Sequence, residues 1–145
     1  MVFFAAGMLN AQPEEQADKM PGALRDSHIR EATKFRKDGA YAVSIIHLDS
    51  ILALDSTDAP VLLFRGDLLL ESKRYAEAVT TYSKLLPLDY ERTITRINLS
   101  YALFMKHQPS KALYFAEMAW TEDQNNTRAI VNYFNALLWN AKTKR

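Results

Sequence analysis

The sequence predicts an all-α fold, an array of antiparallel helix pairs, and three observations carry that prediction. The first is a repeat: Asp55, Asp89 and Asp123 lie 34 residues apart. The same spacing relates Tyr41, Tyr75 and Pro109, then Ser44, Ala78 and Ala112, then Leu48, Tyr82 and Ala116. Four registers that agree on one period are internal self-similarity, the mark of a stacked array. The second is periodicity. Past Arg25 no convincing stretch alternates apolar and polar as a strand would, and apolar residues recur at helical spacings. The third is the placement of small residues: Ala32, Gly66 and Ser100 on the first helix of each pair, and Ser44, Ala78 and Ala112 on the second. Two helices can cross closely only where their facing side chains are small.

Taken in order, the chain opens with an eight-residue apolar run, Val2 to Leu9. A spanning helix needs about 20 residues, so this run is too short. Followed by Asn10, Ala11 and Gln12, it reads either as the back half of a secretory signal without its basic start, or as an apolar turn packed on the domain. The first reading places the mature protein in the periplasm or outside the cell, and the second leaves it in the cytoplasm. Residues 12–24 are polar and carry Pro13, Pro21 and Gly22, the composition of a linker with one short helical turn. Within each repeat the two helices are joined by a tight turn: Gly39-Ala40, Lys73-Arg74 and Gln108-Pro109. Pro109 suits the first turn of a helix, because its missing N–H is not needed there. Asp58 and Asn126 suit the caps of the helices that follow them. Large residues fill around the small ones: Phe35, Leu69 and Leu103 on the first helices, Leu48 and Tyr82 on the second. Where the third pair has Ala116 in place of the aromatic, Trp120 one turn on is expected to fill that volume. The final Lys142-Thr143-Lys144-Arg145 is a solvated tail.

The period and the residues resemble the tetratricopeptide repeat, most clearly over 59–92. Gly66 matches the small residue at repeat position 8, Tyr75 the aromatic at 17, Ala78 the alanine at 20 and Tyr82 the aromatic at 24. Leu86, Leu88 and Asp89 match the closing Leu-x-Leu-Asp, while Tyr90 stands where the family places proline. The resemblance implies a right-handed superhelical solenoid with repeats at 25–58, 59–92 and 93–126. A capping helix at 127–141 would cover the exposed end, as such arrays require. His28 and Glu31, where large apolar residues are usual, fit an N-terminal repeat whose outer face meets water.

Composition narrows the functions. A chain of 145 residues is one domain, and 48% hydrophobic residues support a real core. A formal net charge of +1 supplies no strong field for nucleic acid or an anionic surface. The absence of cysteine removes disulfides, thiolate metal sites and cysteine nucleophiles. The four glycines are too dispersed for a phosphate-cradling loop. His28, His47 and His107 show no metal-ligand spacing, and no Gly-x-Ser-x-Gly elbow is present. The expectation is therefore a protein that is not an enzyme and has no cofactor, metal or small-molecule substrate.

What the resemblance implies instead is a scaffold for protein–protein interaction that takes a peptide or helix of a partner in its concave groove. The groove positions of the family fall on Arg36 and Lys37 in the first repeat, and on Leu63, Asp67, Leu70 and Glu71 in the second. In the third they fall on Ile97, Tyr101, Phe104 and Met105. The apolar members would form a continuous strip, with the basic Arg36 and Lys37 at one end. One subclass grips a C-terminal carboxylate with Lys and Asn at first-repeat positions that hold Ile29 and Thr33 here, so that recognition is not implied. The alternative is structural: a self-associating helical module of an envelope complex, a homo-oligomer without a client peptide.

Overall fold

In a computed structural model of the protein, residues 20–143 are described. The signal reading of 1–11 and most of the linker lie outside them. Seven α-helices follow one another among the described residues: α1 Gly22–Lys37, α2 Tyr41–Leu52, α3 Ala59–Glu71, α4 Tyr75–Leu85, α5 Arg92–Met105, α6 Pro109–Glu122 and α7 Thr127–Thr143. A short 3₁₀ turn, Leu86–Leu88, extends α4. The helices pair as α1 with α2, α3 with α4 and α5 with α6, and α7 packs on α6 and α5. The first helices of the pairs, α1, α3 and α5, thus form one layer with α7, and the second helices form the other. α1 starts at Gly22, ahead of the repeat boundary at 25, because the Pro21 carbonyl accepts from the N–H groups of Leu24 and Arg25.

Each pair is closed by the same turn. The N–H of Gly39 donates to the carbonyl of Arg36, and that of Ala40 to Phe35. Lys73 and Arg74 repeat this with Leu70 and Leu69, and His107 and Gln108 with Phe104 and Leu103. These are the paired bonds of a Schellman ending, which needs a left-handed residue just past the helix. Gly39, Lys73 and His107 occupy it with φ of 73°, 60° and 57°. Only glycine takes that conformation without cost, so the second and third turns are held by their surroundings rather than by preference.

The predicted crossings are the core. Ala32, Ser44, Gly66, Ala78, Ser100 and Ala112 are all buried. The Ser44 hydroxyl donates to the Ala32 carbonyl at 2.7 Å, which satisfies a polar group inside the first crossing. At Gly66 an added Cβ would sit 2.6 Å from the ring of Tyr82, so this glycine is required by space and not by backbone freedom. Leu48, Leu69, Tyr82 and Leu103 are buried around the crossings, and Phe35 is half-buried and stacked on His47. Trp120 departs from expectation. Rather than filling the space beside Ala116, it stacks on Tyr133 of α7, with centroids 5.0 Å apart, and packs against Ile97, Ala119 and Ala129. Both predicted caps form: Asp58 accepts from the Val61 N–H, and Asn126 from the N–H groups of Arg128 and Ala129. Asp58 is also gripped by both arms of Arg25, tying α1 to the start of α3.

Candidate functional site: the face of α1, α3, α5 and α7

One helix from each pair, together with α7, lines a single face. A recess of about 360 Å³ opens there, bounded by Arg36 of α1, Asp67, Leu70 and Glu71 of α3, Ile94, Asn98 and Tyr101 of α5, and Arg128 of α7. A smaller one of about 110 Å³ continues between α5 and α7, bounded by Ser100, Tyr101, Phe104, Val131, Asn132 and Asn135. Tyr101 borders both.

A hydrogen-bond chain runs across the larger recess. Arg128 donates to Asn98 Oδ1 at 2.6 Å, and Asn98 Nδ2 donates to Asp67 Oδ1 at 2.9 Å. The Tyr82 hydroxyl reaches through the Gly66 gap to donate to the same oxygen at 2.7 Å. The chain fixes the Asn98 amide, with its oxygen toward the guanidinium and its nitrogen toward the carboxylate. Burial raises the Asp67 carboxyl above the usual range, opposed by the Tyr82 hydroxyl and by Arg36 and Arg128. Burial, aided by the charge of Asp67, likewise pushes the Tyr82 phenol up. Arg36 pairs with Glu71 across α1 and α3 and lies over the Phe64 ring, 5.5 Å from its centroid. The walls between these polar groups are apolar: Leu70, Ile94 and Tyr101, with Tyr101 set edge-on to Tyr75.

The structure brings together five of the residues expected from sequence, Arg36, Asp67, Leu70, Glu71 and Tyr101, at the larger recess. Phe104 joins Tyr101 at the smaller one, its ring edge-on to Trp139 of α7 at 4.6 Å. Lys37 and Met105 are exposed but border neither recess, and Leu63 is half-buried against the core. Ile97 is a correction: it is 1% exposed, packed with Ala119 and Ala129, because α7 lies over that side of α5. The apolar strip is therefore interrupted and not continuous. Asn98, Arg128, Asn132 and Asn135 were not foreseen. The signal was present, since Asn98 and Asn132 are 34 apart and Arg128 follows Ile94 by the same step. Treating the last helix only as a cap hid it.

The opposite face also holds a recess, of about 390 Å³, bounded by Asp49, Arg65, Glu77 and Lys84 among others. Its charges are largely paired, Arg65 with Asp49 at 2.6 Å and Glu77 with Arg74. In the first hairpin His28 and His47 meet with Nδ1 atoms 3.1 Å apart, a contact that sequence spacing did not suggest. No group of three or more His, Asp or Glu among the described residues could hold a metal ion, and none of their helices is long and apolar enough to cross a membrane.

The layered helix pairs define the tetratricopeptide-repeat fold: three repeats and a closing helix. By sequence, no protein-family model and no curated protein matches the chain. By structure, it is similar to the first TPR of Spaghetti (RPAP3) bound to the HSP90 peptide SRMEEVD, with a TM-score of 0.77 and 16% identity, covering 86% of this chain and 98% of that one. It is similar to the second TPR domain of human RPAP3 in complex with the HSP70 peptide SGPTIEEVD, with a TM-score of 0.72 and 18% identity over 79% of this chain and 95% of that one. Similarity to Pseudomonas aeruginosa pilF gives a TM-score of 0.72 and 24% identity, covering 81% of this chain and 54% of that chain.

Proposed function

We propose that the protein is a non-catalytic scaffold that binds a peptide or helix of a partner protein along the face of α1, α3, α5 and α7. The observation that carries the reading is the recess crossed by the Arg128–Asn98–Asp67 chain, with Tyr101 and Leu70 as its apolar wall. That two neighbours of the same fold hold peptides, from HSP90 and HSP70, supports it. Ile29 and Thr33 stand in the first repeat where a carboxylate-gripping subclass resembling this chain has Lys and Asn, so the ligand is read as an internal segment of its partner.

The test is affinity capture with the full chain from its native host, followed by titration of the purified partner against the wild type and a Tyr101→Ala, Arg128→Ala double variant. Truncating hot-spot residues lowers affinity by about 1–4 kcal/mol. Unchanged affinity, with helicity intact by circular dichroism, overturns the reading. Residues 1–11 are further read as a signal remnant that sends the protein to the periplasm or beyond. Native protein recovered from the cytoplasm with those residues intact would remove that part.

A further inference from the structure

Four charged residues border the larger recess, and three of them have their partners within the fold. Arg36 pairs with Glu71. Asp67 accepts from the Tyr82 hydroxyl and from Asn98. Arg128 is the exception. It is exposed on α7, and the one hydrogen bond of its guanidinium among the described residues goes to the neutral Asn98 amide. Asp67 feels the charge of Arg128, but the Asn98 amide stands between them.

Asn98 gives that guanidinium a fixed place. It is 3% exposed and its nitrogen is anchored on Asp67, so its oxygen is aimed in one direction and holds Arg128 at 2.6 Å. One of the five N–H donors of the arginine is spent there. A planar fork already held in position takes a carboxylate by two parallel bonds and loses little further freedom in doing so.

The smaller recess begins at Val131, three residues from Arg128 and so about 4.5 Å further along α7. Tyr101, Phe104 and Val131 give it apolar walls. The Asn132 nitrogen beside them is spent on the Ile97 carbonyl and the Ser100 hydroxyl. Its volume of about 110 Å³ is more than a single water needs. It falls short of the roughly 150 Å³ that admits a benzene ring, so an aliphatic side chain suits it and an aromatic one does not. Asn135 stands exposed at its edge, where its amide can bond a peptide group. An extended peptide advances about 3.3 Å per residue, so side chains that reach both places belong to residues about one to three positions apart.

We infer that this face reads a partner segment by two neighbouring side chains, an acidic one taken by Arg128 and an aliphatic one taken by the recess between α5 and α7. The inference rests on the reading of the face as a peptide groove.

The probe is a phage-displayed library of random twelve-residue peptides, selected on the full chain. Each peptide is joined by its C-terminus to the coat protein, so any acid selected is a side chain. The selected sequences should be enriched over the starting library in Asp or Glu within three positions of Leu, Ile or Val, and Tyr101→Ala should abolish their binding. The strongest sequence, made as a peptide blocked at both ends, should lose about fivefold in affinity when its acid is replaced by the amide, the upper end for an exposed ion pair. Against Arg128→Gln the acid and amide forms should bind alike. Val131→Phe, which fills part of the smaller recess, should remove the preference for the aliphatic residue over alanine. Circular dichroism checks that each variant is folded. Peptides that need Tyr101 but show no preference for the acid, or keep that preference against Arg128→Gln, overturn the inference and leave the groove reading standing. Selected peptides that ignore Tyr101→Ala, or a selection that enriches none, remove the groove reading and the inference with it. A synthetic peptide in which a free C-terminal carboxylate replaces the acidic side chain, if bound more tightly than the original, assigns Arg128 to a chain end and overturns the inference as well.

Discussion

The second and third repeats solve the same packing problem in opposite ways. In the second, Gly66 of α3 leaves a gap and Tyr82 of α4 fills it so completely that the ring is 0% exposed. In the third, Ser100 faces a helix that has Ala116 at the equivalent place, and the seam is completed from outside the pair. Asn132 of α7 donates to the Ser100 hydroxyl at 3.0 Å and to the Ile97 carbonyl, and Tyr133 packs against the same core. An interior repeat is therefore sealed by its own second helix, while the last one borrows its seal from the helix that follows. Damage to the second crossing should stay within its hairpin. Damage to the third should be felt by α7.

The largest expected effect is at Gly66. Gly66→Ala places a methyl group inside the Tyr82 ring, and overpacking of this kind costs about 1–3 kcal/mol. The comparison sharpens in a Tyr82→Ala background. With the ring gone, the same substitution should be neutral or stabilising, since alanine favours a helix over glycine by up to about 1 kcal/mol. Urea midpoints of the two single variants and the double variant measure this. Equal costs in both backgrounds would break the account of the second crossing.

Ser100→Ala should cost about 1 kcal/mol, because it removes a hydroxyl bonded to Ile97 and Asn132. Hydrogen exchange should show α7 opening more readily in this variant than in Gly66→Ala. The reverse ranking contradicts the borrowed seal. Smaller, and opposite in sign, are Lys73→Gly and His107→Gly. Relief of a left-handed side chain is worth about 1–2 kcal/mol, partly offset by the extra freedom of glycine in the unfolded chain. Each should raise the melting temperature slightly, and a loss at both sites would show that those side chains contribute something the turn geometry does not.

The gentlest probe is pH. Burial raises the Asp67 carboxyl in the folded state, so the folded protein holds that proton more tightly than the unfolded chain. By linkage, the contribution is most favourable below the ordinary carboxylate value and is lost as pH rises through the raised one. Relative to Asp67→Asn, the wild type should therefore lose stability on going from acid toward neutral pH. A difference that grows with pH in the wild type's favour would mean that Tyr82, Arg36 and Arg128 outweigh burial.

The fold was legible because its determinants are local and periodic. The period places Ala32, Gly66 and Ser100 without any knowledge of three dimensions, and the caps at Asp58 and Asn126 follow from single residues. The face of α1, α3, α5 and α7 was legible only in part. Ile97 shares its repeat register with Leu63, yet α7 buries it, and a helix landing on its neighbour is not written in the neighbour's pattern. Trp120 misleads for the same reason: its proximity to Ala116 in sequence suggested one cavity, while α7 offered it Tyr133. Asn98 was missed because a lone polar residue on a helix gives no sign that Asp67 and Arg128 converge on it from 31 and 30 residues away.

The order of helix contacts has a kinetic consequence. The strong contacts join helices adjacent in the chain, and the few beyond them link alternate helices of the same layer. Chains dominated by such near-neighbour contacts fold on the microsecond to millisecond scale, since little loop entropy must be spent before contacts form. Stability in such arrays is a sum of unit and nearest-neighbour terms, so opening is graded and begins at the ends. The α7 end is where Trp120, Ile97 and Ala129 depend on a single docked helix. Transient release of α7 uncovers those residues and leaves the first two hairpins intact.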